Sequence, residues 1–174
     1  MPREILFTIL LVSVFIYQAG YAADAVHFVS KAKIAAKSGD IDFAFINYHA
    51  ALNSDPDSLF KADALFATGE YYFLKNDYTE AAAWFEQYLS QSADINGQLF
   101  ARFYLWEIAQ SQHQTKLAEK LRKGLETFRK HIFIFRDSQE YHFRSPLNRL
   151  HRAVYTIRGI DFYLEGELVA KIPF

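Results

Sequence analysis

The stretch from Ala62 to Ala93, ADALFATGEYYFLKNDYTEAAAWFEQYLSQSA, constrains the fold more than any other, because small and large residues are interleaved there at helical spacing. Leu65, Gly69 and Tyr72 share one face, Lys75-Asn76-Asp77-Tyr78 is a polar turn, and Ala81, Phe85 and Tyr88 repeat the spacing. The expectation is a helical hairpin. Gly69 and Ala81 carry almost no side chain, so two backbones can approach there while Tyr72, Tyr78 and Phe85 fill the space above and below.

The same pattern recurs when the chain is shifted by 37 residues. Upstream, Ala44, Tyr48 and Ala51 fall under Ala81, Phe85 and Tyr88, with Lys37-Ser38-Gly39-Asp40 as the turn and Asp55-Pro56 closing the unit. Downstream, Ala118 falls under Ala81 and Leu125 under Tyr88, with Gln112-His113-Gln114 as the turn. In this third copy Trp106 stands in the place of Gly69 and Arg122 in the place of Phe85, which predicts either a splayed pair or a shifted register.

At the N-terminus, Ile5 to Tyr17 is an apolar run of thirteen residues behind Arg3, followed by the small residues Gly20 and Ala22. A basic start, a short apolar middle and a small-x-small end predict a signal peptide over 1–22, cleaved before Ala23. The run is short of the roughly 20 residues that span a bilayer, so the alternative of an uncleaved anchor ranks second. The expected location is therefore the periplasm or the exterior. With no cysteine, the exported chain is stabilised by packing alone and carries no lipid-modified cysteine.

The net charge of −1 conceals an asymmetry: residues 1–115 hold 7 basic and 13 acidic side chains, residues 116–174 hold 12 and 7. The basic third is a candidate for contact with an anionic envelope surface or with the acidic part of a second copy, against the plainer reading of solvated helix exteriors. Export argues against nucleic acid as its counterpart.

After Gly124 the pattern changes. His131 to Phe135 is too short and uniformly apolar to tell strand from helix. Ser145-Pro146 has the form of a helix entry, and Leu147, Leu150, Val154 and Ile157 make a stripe ended by Gly159, so a helix is expected there. Residues 160–172 resemble a β-hairpin about Glu165-Gly166, lying on that helix or pairing with 132–135, with the alternative that 146–172 is one long helix of a fourth pair, which Gly159 and Gly166 disfavour.

No constellation for catalysis emerges. The histidines at 27, 49, 113, 131, 142 and 151 form no i, i+4 pair with acidic ligands, so neither a metal nor another cofactor is expected. There is no G-x-S-x-G elbow and no phosphate-cradling glycine loop. Asp161, Glu165 and Glu167 alternate on the expected hairpin as a solvated rim.

Leu65, Gly69, Tyr72, Asn76, Tyr78, Ala81, Phe85 and Tyr88, with Phe28, Ala32, Gly39, Ala44, Tyr48, Ala51 and Pro56 before them, resemble the tetratricopeptide repeat pattern over residues 26 to about 130. A period longer than the family's usual one, and Pro56-Asp57-Ser58 ahead of Ala62-Asp63-Ala64-Leu65, are similar to the periplasmic branch that serves outer-membrane assembly and the Tol-Pal system. The resemblance implies an all-α fold: a right-handed α-α superhelix of about three helix pairs over 23–130, to which residues 131–174 add a C-terminal helix and a hairpin cap. It further implies a concave groove that binds a protein or peptide segment through Lys33, Lys37, Phe66, Glu70, Phe73, Phe103, Glu107 and Gln110, with the alternative that the phenylalanines face a neighbouring helix. Aromatic rings beside carboxylates would suit an apolar peptide carrying a basic residue. The expected function is a non-enzymatic scaffold in the cell envelope; the alternative is a structural subunit that self-associates through its acidic and basic ends.

Overall fold

A computed structural model describes residues 24–129 and 138–174. Six helices come first: α1 over 24–38, α2 (Ile41–Ser54), α3 (Lys61–Leu74), α4 (Tyr78–Gln91), α5 (Ile95–Ser111) and α6 (Thr115–Glu126). They pair as three antiparallel hairpins, and the 37-residue period is written in their turns. The backbone turns left-handed at Gly39, Asn76 and His113, with φ of 83°, 61° and 57°. Asp40, Asp77 and Gln114, one residue on, donate their backbone N–H to the carbonyls of Ala35, Tyr72 and Ala109 at 3.0, 2.9 and 2.8 Å. Each then accepts from the backbone of Ala44, Ala81 and Ala118 at the start of the second helix. Glycine reaches that conformation without strain and asparagine at small cost. Asp40 and Asp77 also cap the second helices, their Oδ1 accepting from Phe43 N and Glu80 N.

Within the central hairpin the contact is as close as the residue sizes imply. A Cβ added at Gly69 would lie 3.0 Å from Cδ1 of Phe85, and Ala81 is fully buried. The third hairpin keeps the same turn bonds, so its register is not shifted. Trp106 lies half-buried with its ring 6.4 Å from that of Phe103, and Arg122 turns its guanidinium to Glu119 and Glu126 on its own helix.

The rest of the chain corrects the all-α expectation. Strands β1 (Gln139–Arg144), β2 (Leu150–Tyr155), β3 (Gly159–Leu164) and β4 (Glu167–Pro173) form one antiparallel sheet in sequential order. The helix expected from Leu147 to Ile157 does not exist. Leu150 and Ile157 are largely exposed, while His151, Ala153 and Tyr155 are buried, so this segment's working period is two. Ser145-Pro146 opens the β1–β2 turn: Ser145 N donates to Arg149 O and Asn148 N to Ser145 O. Gly159 ends no helix but lies so close to β4 that a Cβ there would meet the carbonyl oxygen of Ile172 at 2.3 Å. The turn at Glu165-Gly166 has φ of 50° and 85°, the paired positive angles of a tight hairpin, but this hairpin is half of a sheet, not a cap on a helix. The proposed pairing with 132–135 lies outside the described residues, as does the leader.

One face of the sheet packs on the helices. Tyr141, Ala153, Tyr155, Ile160, Phe162 and Ile172 join Leu65, Phe66, Phe85, Leu99, Phe100, Phe103, Tyr104 and Leu125 in one core. Tyr155 and Tyr141 reach past the sheet to donate to the carbonyls of Leu125 and Phe128. The other face sets exposed Leu150 and Leu168 among charged side chains, with Arg152 4.3 Å over the ring of Tyr163 and Lys171 3.7 Å from Asp161. Among the described residues no helix is long and apolar enough to cross a membrane.

Replacing Gly69 with valine drives new methyl groups into the Phe85 ring, so Gly69→Val is expected to lower stability by about 1–3 kcal/mol. Urea unfolding followed by circular dichroism checks this, and an unchanged midpoint would contradict the close contact between α3 and α4.

Candidate functional site

The residues expected to line a concave groove fall into three groups. Phe66, Glu70 and Phe103 are buried, because the sheet lies over them. The Phe66 ring meets those of Phe143 at 4.8 Å and His151 at 6.2 Å, edge to face, and Phe103 stacks on Phe162 at 4.1 Å. Phe73 and Glu107 are half-buried and Gln110 exposed; Phe73 packs on Tyr104, and burial raises the Glu107 carboxyl above its ordinary value. Lys33 and Lys37 on α1 remain exposed. The sheet thus covers the middle of the set of positions expected to line a groove.

The filled part is organised around Glu70, which is fully buried on α3. Its Oε1 accepts from the Tyr104 hydroxyl at 2.9 Å and lies 3.2 Å from His151 Nε2 and 3.5 Å from Arg149 Nη1. The Tyr104 oxygen is itself 2.9 Å from His151 Nε2. His151 Nδ1 faces the Arg149 carbonyl at 3.1 Å; a carbonyl can only accept, so that nitrogen carries its hydrogen. Among the described residues, Glu70 Oε2 has no hydrogen-bond partner. Burial alone would raise the Glu70 carboxyl, but the adjacent His151 and the charge of Arg149 hold it below its ordinary value. Burial and the adjacent Glu70 charge push the Tyr104 phenol up. Glu70, Tyr104 and His151 are closed off from solvent and, with the half-buried Arg149, join sheet to helices.

Where the sheet stops short of α1, a cleft of about 250 Å³ remains between that helix and the β1–β2 turn. Lys33, Lys37 and Asp63 line the helical side; Arg144, Ser145 and Asn148 line the turn; Tyr48, Phe143 and Pro146 make the floor. The Tyr48 hydroxyl donates to the Pro146 carbonyl at 3.2 Å and so ties α2 to the turn. An adjoining hollow of about 360 Å³, lined by Val26, Val29, Ile34 and Phe60, shares Lys33 and Lys37 with it. Among the described residues no group of three or more His, Cys, Asp or Glu could hold a metal ion.

Tyr104, Arg149, His151 and Arg144 escaped the sequence reading. His151 had a readable signal, since it alternates with Ala153 and Tyr155 as an inward strand position does. Arg144 had one too, placed against the turn-forming run Ser145-Pro146-Leu147-Asn148.

A carboxyl held below its ordinary value of 4.5 contributes stability that is present above that value and lost as pH falls through the lower, folded-state one. Acid unfolding followed from pH 7 downward is therefore expected to be steep below that ordinary value and shallower in Glu70→Gln, which keeps the shape but not the charge. Equal slopes would show that Glu70 takes no part in acid sensitivity. In comparisons with known proteins, no family model and no curated protein matches the chain.

Proposed function

We propose that the protein is an exported, non-enzymatic scaffold that holds a segment of another protein at the open end of its helical array, in the setting of the cell envelope. The single observation that carries this reading is the cleft between α1 and the β1–β2 turn. It is a part of the helical surface that the sheet leaves accessible, and it joins cationic side chains to an aromatic and proline floor. A few polar groups over an apolar base is the make-up of a recognition site. The recurring turns at 39, 76 and 113 and the resemblance to tetratricopeptide proteins support a repeat scaffold, a class in which concave surfaces serve binding. The apolar leader behind Arg3 supports export.

Photo-crosslinking in cells tests this directly, with benzoylphenylalanine in place of Lys37 at the cleft or of Lys120 on the exposed side of α6. An adduct with one protein, identified by mass spectrometry, is expected from position 37 and not from 120. An adduct of twice the chain's own mass would instead favour a self-associating subunit, and the absence of any adduct at 37 would overturn the scaffold.

A further inference from the structure

The charge of the cleft identifies the chemistry of its occupant. Lys33 is neutralised by Asp63, 3.3 Å away, and its ammonium lies 5.3 Å from the centre of the Phe60 ring. Lys37 makes no ion pair among the described residues. Arg144, on the opposite side, donates from Nη1 to the carbonyl and side-chain oxygens of Asn148 at 3.2 and 3.0 Å. Both acceptors are neutral, so the hydrogen bonds hold the guanidinium in place without cancelling its charge. Among the described residues, two positive charges without an ion-pair partner therefore line one cavity whose carboxylate, Asp63, is already engaged. Low-dielectric walls concentrate such a field toward the mouth.

Glu70, the carboxylate expected to favour a basic ligand, is turned inward onto His151 and Arg149. The adjoining hollow adds an apolar seat at Val26, Val29, Ile34 and Phe60, with Lys33 and Lys37 between the two. Taking the scaffold reading as its basis, we propose that the cleft holds an acidic protein segment: a carboxylate-bearing residue between Lys37 and Arg144, and a neighbouring apolar residue in the hollow along α1. The site is a jaw of which helix and sheet turn each supply one side. The sheet, by closing the middle of the array, converts a groove with an acidic floor into a cleft with a basic rim.

Fluorescence anisotropy tests the charge assignment, using the protein purified in the form its own cell produces. The probes are a short fluorescein-labelled peptide of alternating valine and glutamate and the same peptide with lysine for glutamate. The glutamate peptide is expected to bind at least about tenfold more tightly, and to weaken as salt rises from about 50 to about 500 mM. Lys37→Glu and Arg144→Glu should each weaken it about tenfold, Lys120→Glu should leave it unchanged, and the melting temperature of Lys37→Glu should match that of the parent. The proposal is overturned if the lysine peptide binds as tightly, if the glutamate peptide fails to bind below about 1 mM, or if Lys37→Glu has no effect. A crosslink at position 37 that persists beside any of these results would leave the scaffold standing and remove only the acidic partner; loss of the crosslink removes both.

Discussion

A carboxylate carried into an apolar interior must be neutralised there, and Glu70 sets that requirement at the centre of this protein. It stands on the inner face of α3, where a helical array alone would leave it in water. Once the sheet covers it, only β2 in one register can satisfy it. A slip of one residue would place Leu150 or Arg152 over α3 in the position of His151 and would turn Ala153 and Tyr155 outward with it. The polar cluster thus specifies how the sheet lies, while the rings around it supply the burial. Phe66, Phe100, Phe103 and Tyr104 from the helices meet Phe143, His151 and Phe162 from the sheet, almost all as edge or offset pairs.

The helical part was legible because its constraints are local. A left-handed turn residue followed by a cap, and small residues where backbones touch, are read within a few positions of each other, and they recur every 37 residues in turns and hydrogen bonds alike. The hairpin about Glu165-Gly166 was legible, but β2 reads as a helix because Leu147, Leu150, Val154 and Ile157 match a helical stripe by position while His151, Ala153 and Tyr155 match a strand by alternation. A short segment cannot tell the two apart without knowing what it packs on. Ser145-Pro146 compounded the ambiguity, since the same pair opens a helix or a turn.

The covered helical face had a sequence signature of its own. From Leu99 to Ala109, LFARFYLWEIA, α5 carries apolar side chains around most of its circumference, and Leu99, Phe100, Ala101, Phe103, Tyr104, Leu105, Ile108 and Ala109 are all buried. A helix with one face toward its neighbours and the other toward a wet groove would show a polar stripe, whereas one apolar nearly all round must be covered on both sides. The groove positions transferred by resemblance, Phe66, Glu70 and Phe103, sit on surfaces of this doubly covered kind.

Covering the groove from within has a consequence for how the molecule can recognise anything. An open array presents a long surface whose chemistry is the sum of its first helices. Here aromatic rings and a carboxylate are spent on internal cohesion, and the surface left over is set by where the covering element ends. That boundary falls at the β1–β2 turn, whose Arg144 and Asn148 are held by hydrogen bonds within the turn and whose Pro146 is tied to Tyr48. Residues fixed in this way lose little further freedom on binding, so contacts made to them are not offset by a large ordering cost. Because the jaw opposite α1 belongs to the sheet, its position relative to Lys33 and Lys37 depends on the register that Glu70 enforces. The buried polar cluster and the open cleft are therefore two ends of one mechanical arrangement, the first holding the sheet so that the second has a defined width.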